Sequence, residues 1–280
     1  MYWAERLKCP ILSTDSRQCY TELKIGSAPP TTEELAQIPH YFIADRSVLE
    51  PITAGAFERF ALNTLQDLFN THDVVVSVGG SGMYIDALVN GLDALPTDAE
   101  IKSDLDNQFE QLGLAPLVVK LQELDAEYAA KVDLQNPRRV IRALEVILVT
   151  GKKYSTQLNN SPKVRPFEVV NWVLNMDRDL LYDRINRRVQ MMIANGLEAE
   201  ARSLKSHADL PSLQTVGYRE WWPYFEGDYD LVRTIELIQQ NSRRYAKRQL
   251  TYFKRFENAI WLHPNDINSQ EESLRKAKVL

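Results

Sequence analysis

The chain has 280 residues, 44% hydrophobic and 25% charged, which is ordinary for one large globular domain or for a core with an insertion. Apolar runs such as VVVSV are too short to span a bilayer, so an integral membrane protein is excluded, and we expect no secretory leader. The two cysteines, Cys9 and Cys19, lack metal-ligand spacing, and the four histidines are scattered. Reduced thiols in a cytoplasmic protein without a zinc site are therefore predicted.

Charge is distributed unevenly along the chain. The net charge of −5 is not typical of a nucleic-acid-binding protein. Residues Thr97 to Asn136 contain nine Asp or Glu against three Lys, whereas Asn241 to Phe256 contain six Lys or Arg and no acid. A purely basic segment in an acidic chain indicates a surface for an anionic partner.

Two short apolar runs in the first third of the chain predict strands. Pro10 to Thr14 and Asp73 to Val78 are continuous rather than alternating, as in parallel strands that are covered on both faces. Between them, the segment from Ile52 to Phe69 places its apolar residues at helical spacing. Strand, helix and strand in this order predict an α/β core with a parallel sheet.

The middle of the chain is predicted to be a helical insertion. Thr97 to Glu100 has the spacing of a capping box, and Asn136 is predicted to cap a later helix that Pro137 begins. The apolar face of that later helix consists of Val140, Ile141, Leu144, Ile147 and Leu148. The predicted domains are the core, residues 1–96 and 166–280, and the insertion, residues 97–165.

The last part of the chain predicts a return to the core. Val169 to Met176 has the character of a strand, and a helix that ends at Gly196 follows it. A final long helix is predicted from about Leu231 to Phe256. Its buried side is predicted to carry Ile235, Ile238, Tyr245 and Phe253. Its exposed basic sector is predicted to carry Arg243, Arg244, Lys247, Arg248, Lys254 and Arg255.

Asp15 is a candidate catalytic residue because it follows a predicted central strand. Ligands of open α/β sheets bind beyond the carboxyl ends of the strands, and a carboxylate there can accept a proton or hold a magnesium ion through water. The alternative is structural, since Asp15 and Gln18 in D-S-R-Q also have the spacing of a capping-box variant. Spacing alone leaves both interpretations open.

Three further segments have both a functional and a structural interpretation. The glycines of GGSG, Gly79 to Gly82, permit close approach of a ligand but are also common in simple turns. Basic residues of the last helix interleave with tyrosines, which suits RNA, although charge runs are usually solvated surface. QTVGYREWWPY, Gln214 to Tyr224, is either part of a binding surface or a Trp-rich plug in the core.

Taken together, these segments resemble the tRNA dimethylallyltransferases, also called tRNA isopentenyltransferases. The resemblance rests on DSRQ with KIGSAPPT, GGSGMYIDAL, NPRRVIRALEV, DRINRRV, VGYREWW and RRYAKRQLTYFKR, in the family's order over essentially the whole chain. It implies a P-loop nucleotide-kinase-like core with a helical insertion. It also implies transfer of a dimethylallyl group from dimethylallyl diphosphate to N6 of the adenosine 3′-adjacent to the anticodon, in tRNAs that read codons starting with U.

The sequence departs from the family pattern at its start. The family has a strand and a P-loop of the type GPTGVGKT about twenty residues before the Asp of DSRQ, and G-x-x-x-x-G-K-[ST] occurs nowhere in these 280 residues. The P-loop binds the diphosphate and its Mg²⁺, so the resemblance implies Mg²⁺ as cofactor while its P-loop ligand is absent. We therefore expect little or no turnover by these 280 residues alone.

The resemblance assigns roles to individual residues. Asp15 is the implied general base, Gln18 would read the edge of the target base, and no protein ligand set for a metal is predicted. The implied tRNA-binding residues are Asp15, Ser16, Arg17, Gln18, Ser81, Lys102, Arg138, Arg139, Val140, Ile141, Arg142, Gln214, Thr215, Val216, Gly217, Tyr218, Arg219, Arg243, Arg244, Lys247 and Arg248.

Two other functions compete with the prenyltransferase. One is a catalytically inactive tRNA-binding remnant that has lost the P-loop, and the other is a small-molecule kinase that shares only the core. DSRQ and the basic helix disfavour the kinase, since a nucleoside kinase needs no anticodon-sized basic surface. The expected partners are the tRNA anticodon stem-loop and dimethylallyl diphosphate, with no membrane, and a monomer in the cytoplasm is expected.

Overall fold

The computed structural model describes residues 1–159 and 161–280, and the chain divides into two compact units. Unit 1 comprises Met1–Val89 and Arg165–Leu280, and unit 2 comprises Asn90–Val164. Unit 1 contains the strands β1 (Ile11–Ser13), β2 (His40–Tyr41), β3 (Val76–Val78), β4 (Trp172–Leu174) and β5 (Ile260–Leu262).

The helices of unit 1 lie on both sides of unit 2 in the sequence. Those before it are α1 (Tyr2–Leu7), α2 (Thr32–Gln37), α3 (Ala54–Leu68) and α4 (Gly82–Val89). Unit 2 contains α5 (Ala99–Leu112), α6 (Ala115–Leu124), α7 (Ala126–Ala129) and α8 (Pro137–Thr150). Those after it are α9 (Arg178–Ala194), α10 (Leu197–Ser203), α11 (Trp221–Glu226), α12 (Leu231–Phe253) and α13 (Ile267–Lys276). No helix among the described residues combines the length and apolar character that a membrane crossing requires.

The strands of unit 1 are parallel, which confirms the predicted α/β class with a parallel sheet. Their order is β2, β1, β3, so β1 is central, and Ile11 pairs with His40 on one side and Val76 on the other. β4 and β5 form a second parallel pair, in which Trp172 pairs with Ile260. Because β1 and β3 are neighbours, the loops that follow them meet at one edge of the sheet.

β3 is less buried than its apolar sequence predicts. The expectation of a strand covered on both faces is wrong here, because Val78 is 55% exposed. The physical reason is its position, since among the described residues β3 pairs only with β1 and forms an edge of the sheet.

The main core of unit 1 forms where α3 and α4 pack beside the sheet. Thr53 caps α3 by accepting a hydrogen bond from the Ala56 amide at 3.2 Å. Fully buried Phe57 stacks on Tyr84 with ring centroids 4.3 Å apart. These contacts fix α4 and therefore the GGSG loop that leads into it.

Of the two predicted helix caps in unit 2, the one at Thr97 is wrong, whereas Asn136 occupies the predicted N-cap position of α8. Asp98, not Thr97, caps α5, and its carboxylate accepts from the amides of Glu100 and Ile101 at 2.9 Å. The Thr97 hydroxyl donates to Glu145 instead at 2.5 Å. At the start of α8, Pro137 opens the helix but the Asn136 side chain makes no capping bond.

Two predictions about helix faces need correction. In α8 most of the predicted apolar face is buried, but Leu148 is 41% exposed near the C-terminal end of the helix. In α12, Tyr245 was predicted on the buried side, yet its side chain is 39% exposed. The helix also ends at Phe253 rather than Phe256.

Candidate active site and RNA-binding surface

Asp15 lies two residues beyond β1, at the carboxyl edge of the sheet. Its amide donates to the Ser13 hydroxyl at 3.2 Å, and its Oδ1 accepts from the amides of Arg17 at 2.8 Å and Gln18 at 3.3 Å. These bonds form a turn and not the start of a helix. The predicted capping role is therefore real but local, and it uses one carboxylate oxygen.

The second carboxylate oxygen of Asp15, Oδ2, is available to accept a proton. Within the described part of the chain, Oδ2 makes no hydrogen bond, and Asp15 lines a cavity of about 270 Å³ together with Ser13, Gln18 and Gly79. Burial raises the pKa of Asp15, while the two amide bonds and Arg17 oppose that rise. A carboxylate with a raised pKa beside a cavity is suited to accept a proton.

The amide of Gln18 is engaged by the chain itself. Its Nε2 donates to the carbonyl oxygens of Ala28 at 2.9 Å and Ser27 at 3.4 Å, and the Ser13 hydroxyl donates to its Oε1 at 3.2 Å. Reading a base edge would require Gln18 to share or exchange these partners. In this structure Gln18 ties the KIGSAPPT loop to β1.

The loops after β1 and β3 are joined through two serines. The Ser81 hydroxyl accepts from the Ser16 amide at 2.9 Å and donates to the Ser16 hydroxyl at 3.0 Å. From α12, the Gln249 amide donates to the carbonyl oxygen of Gly80 in the loop after β3 at 2.8 Å. Four of the predicted site residues, Asp15, Ser16, Gln18 and Ser81, are thus gathered at one edge of the sheet, and Arg17 lies in the same turn.

The segment from Gln214 to Arg219 is mostly a structural support. Tyr218 is fully buried and donates to Glu200 at 2.6 Å, and Glu200 also accepts from the amides of Ile25 at 2.8 Å and Gly26 at 3.0 Å. Sequence reasoning missed Glu200, although an acid in the short helix after Gly196 was the available signal. This network holds the KIGSAPPT loop, as the core-plug interpretation of this segment expected.

The remaining residues of that segment differ in exposure. Gly217 is buried, has a φ of 95°, and donates its amide to Glu220 at 2.8 Å. Thr215 and Val216 are half-buried. Gln214 and Arg219 are exposed, although Gln214 donates to the carbonyl oxygen of Ala208 at 2.7 Å and Arg219 pairs with Glu220 at 3.2 Å.

Removing the Tyr218 hydroxyl tests the supporting role. Tyr218→Phe should lower the free energy of unfolding by about 1–3 kcal/mol, because the half-buried Glu200 carboxylate loses a short hydrogen bond to the buried Tyr218. Urea denaturation measures this change. Affinity for an anticodon stem-loop in the folded state should be unaltered, and a selective loss of RNA binding with unchanged stability would contradict the structural assignment.

The basic residues of α12 lie along its surface, and one of them contacts α9. Arg244, Lys247 and Arg248 are exposed, whereas Arg243 is half-buried and donates to the Asn186 side chain at 2.5 Å. We call Arg244, Lys247 and Arg248 the basic stripe. Among the residues that the structure describes, none of these three forms an ion pair with an acid, so their charge is available to phosphates.

The predicted residues of unit 2 fall into two groups. Val140 and Ile141 are buried in its core, and Arg142 donates to the carbonyls of Leu95 and Pro96 and to Glu145, so these three maintain the unit itself. Three basic residues are exposed: Arg138, Arg139 and Lys102, the last in a surface pair with Asp106. Of the predicted residues of unit 2, these three are therefore the ones at the surface.

The resemblance implies Mg²⁺, and the question is which groups among the described residues could hold it. The described residues contain no group of three or more His, Cys, Asp or Glu that could hold a metal ion. Mg²⁺ is commonly bound by one or two carboxylates together with substrate phosphates. The carboxylates that line the cavity are Asp15 and Glu34, and Glu34 is engaged in the cap of α2, so a substrate diphosphate would have to supply most of the oxygen ligands.

Comparisons with known proteins identify the family of the chain. A family model described as IPP transferase matches residues 18–256. The chain belongs to the IPP transferase family. The match begins three residues after Asp15, so Asp15 lies just before the matched segment, whereas Ser81, Tyr245 and Gln249 lie within it.

Curated members of the IPP transferase family are similar over nearly the whole chain. The chain is 47% identical over 262 residues to tRNA dimethylallyltransferase 1 of Bacteroides fragilis, covering 93% of this chain and 87% of that relative. It is 46% identical over 265 residues to tRNA dimethylallyltransferase of Flavobacterium psychrophilum, covering 92% and 86%. The family membership thus extends across both units.

Solved structures give the same result for the fold. The full-length tRNA isopentenylpyrophosphate transferase of Bacillus halodurans aligns with a TM-score of 0.71 at 33% identity, over 99% of this chain and 90% of that chain. A eukaryotic dimethylallyltransferase acting on tRNA aligns with a TM-score of 0.79 at 21% identity, over 99% and 73%. The second likeness concerns the fold alone, and both support the P-loop-kinase-like core implied by the resemblance.

Proposed function

We propose that this member of the IPP transferase family is a tRNA dimethylallyltransferase. It transfers a dimethylallyl group from dimethylallyl diphosphate to N6 of the adenosine 3′-adjacent to the anticodon, in tRNAs that read codons starting with U. The observation that carries the proposal is the Asp15 carboxylate at the cavity beyond β1, in a chain 47% identical to a named tRNA dimethylallyltransferase. We place the reaction in the cytoplasm, on a monomer.

The proposed reaction transfers one proton to the protein and releases one leaving group. The N6 amine attacks the allylic carbon, a nitrogen–carbon bond forms, and the carbon–oxygen bond to diphosphate breaks. The diphosphate leaves with the electron pair, and Asp15 accepts the proton from nitrogen, help that is typically worth about 10²–10⁴ in rate. The target base must leave the anticodon-loop stack to reach the cavity.

Arg side chains and a divalent cation are suited to the growing charge of the leaving diphosphate. Mg²⁺, when bound, would supply that charge compensation on the diphosphate. No other step depends on the metal. The half-buried Arg17, whose guanidinium donates to the Ser16 carbonyl at 3.0 Å, lies beside the same turn.

The direct test is product formation on a synthetic stem-loop. The purified chain, and a version with a GPTGVGKT-type segment placed before Met1, are incubated with dimethylallyl diphosphate, Mg²⁺ and an anticodon stem-loop. With the version that carries the added segment, mass spectrometry should detect one added dimethylallyl group on the target adenosine. A stem-loop with inosine at that position has no N6 amine and should stay unmodified. Modification of the inosine stem-loop, or none of either stem-loop by both proteins, would refute the proposal.

The basic stripe should determine the salt dependence of RNA binding. Each phosphate contact removed should flatten the log–log slope of affinity against salt by about one unit, so Lys247→Ala with Arg248→Ala should flatten it by about two. Binding of an anticodon stem-loop is measured by fluorescence anisotropy from low to moderate salt. The matched control is Lys276→Ala, a lysine of α13 that already pairs with Glu272. An unchanged slope in the double variant would mean that the stripe is solvated surface.

A further inference from the structure

Gln249 is a neutral residue within the basic part of α12, and it points at the glycine loop. Its Nε2 donates to the carbonyl oxygen of Gly80 at 2.8 Å. α12 therefore contacts the loop after β3 through a hydrogen bond to the backbone of that loop.

The glycines of this loop make room for α12. A Cβ at Gly80 would overlap the Gln249 amide, and a Cβ at Gly82 would overlap the Tyr252 ring. The Tyr252 hydroxyl donates to Asp86 of α4 at 3.0 Å. The GGSG pattern, which the sequence leaves open between a ligand contact and a turn, thus has a structural cause in the close approach of a helix.

The position of the Gly79–Gly82 loop in turn restrains the turn that carries Asp15. Ser81 holds Ser16 through both the amide and the hydroxyl, and Ser16 adjoins Asp15. On the other side of the loop, a Cβ at Gly79 would overlap Thr14 and the Asp15 amide. A shift of the loop therefore cannot leave the Asp15 turn in place.

We propose that Gln249 is a positioning residue of the active site. It holds the Gly79–Gly82 loop against α12, so that Ser81 fixes the turn that carries Asp15. The adjacent Lys247 and Arg248 face solvent on the same helix. One helix therefore joins the basic stripe to the catalytic turn, and this link to RNA rests on the function proposed above.

The first experiment measures the loop without RNA. Gln249→Ala should raise hydrogen exchange in peptides containing Ser16 and residues 79–82 by about tenfold, because the local opening free energy falls. The matched control, Thr251→Ala, changes an exposed residue of the same helix and should leave these peptides unchanged. Unchanged exchange in Gln249→Ala, or an equal increase in Thr251→Ala, would overturn the proposal.

The second experiment uses the space at Gly80. In Gly80→Ala the flexible Gln249 side chain should swing away and lose its bond to the Gly80 carbonyl, so exchange should rise as in Gln249→Ala. The double variant should show no further increase, since both changes remove the same contact. Fully additive increases would overturn the proposal. These readouts need no RNA, so failure of the RNA function would be seen separately.

The third experiment separates positioning from binding. In the version with a P-loop segment, Gln249→Ala should lower kcat for prenyl transfer by about tenfold while KM for the stem-loop stays within about twofold. Lys247→Ala should show the opposite pattern, with KM raised and kcat retained. A rise in KM alone for Gln249→Ala would make Gln249 an RNA contact and would overturn its positioning role.

Discussion

Asp15→Asn is expected to lower the rate of prenyl transfer by about 10²-fold or more while changing stem-loop affinity little. Asn keeps the size of Asp and an oxygen for the amides of Arg17 and Gln18, but its nitrogen cannot accept the proton that the N6 amine releases. Single-turnover transfer in the version with a P-loop segment measures the rate, and anisotropy measures the affinity. An intact rate with a less stable protein would favour a purely structural, turn-capping role.

The pH dependence of the same reaction gives a second readout. Burial raises the pKa of Asp15, so the ionised base is lost, as pH falls, at a higher pH than for an exposed Asp of pKa about 3.9. The rate should therefore fall with acid through that raised pKa. A rate that declines only near the ordinary Asp value would contradict a buried general base.

The raised pKa of Asp15 also determines whether its ionisation stabilises or destabilises the folded protein. A raised pKa means that the folded protein binds this proton more tightly than the unfolded chain, so ionised Asp15 costs stability above the raised pKa. Asp15→Asn removes that cost at neutral pH while keeping the turn bond. The melting temperature should stay equal or rise, which separates loss of the base from loss of the fold.

The strand and helix pattern of the core was predictable because the apolar periodicity is strong. β1, α3 and α12 were predicted near their observed positions, and the position of Asp15 beyond a central strand followed from the parallel sheet. The exposure of Val78 was not predictable, because strand order is set by pairing over long sequence separations that a local apolar run does not encode.

In the site, local sequence patterns identified the motifs but did not predict the contacts between distant parts of the chain. DSRQ and GGSG were singled out by composition, but their connection through Ser16 and Ser81 spans 65 residues of sequence. The role of Gln249 depends on a carbonyl 169 residues away. Conversely, Tyr218 and Ile141 occur in segments that resemble family RNA-binding segments, yet tertiary packing buries both.

Another long-range contact is a buried ion pair at the point where the chain re-enters unit 1. Arg165 is the first residue of the returning segment, and its Nη2 lies 2.8 Å from Glu58 of α3 and 2.5 Å from the carbonyl oxygen of Ala87 in α4. The two side chains are only 8% and 9% exposed, and the Nε of Arg165 has no hydrogen-bond partner. The guanidinium is therefore compensated by one carboxylate and one carbonyl group.

Glu58→Leu should lower the free energy of unfolding by about 3–5 kcal/mol, because it leaves the Arg165 charge buried without its carboxylate. Urea denaturation at neutral pH measures the loss. The control is Glu58→Leu combined with Arg165→Met, which replaces the pair by apolar side chains of similar size and should recover most of the stability. A loss below about 1 kcal/mol in the single variant would show that water reaches the pair. No recovery in the double variant would show that the arginine stabilises the returning segment through its bond to Ala87 rather than through its charge pair with Glu58.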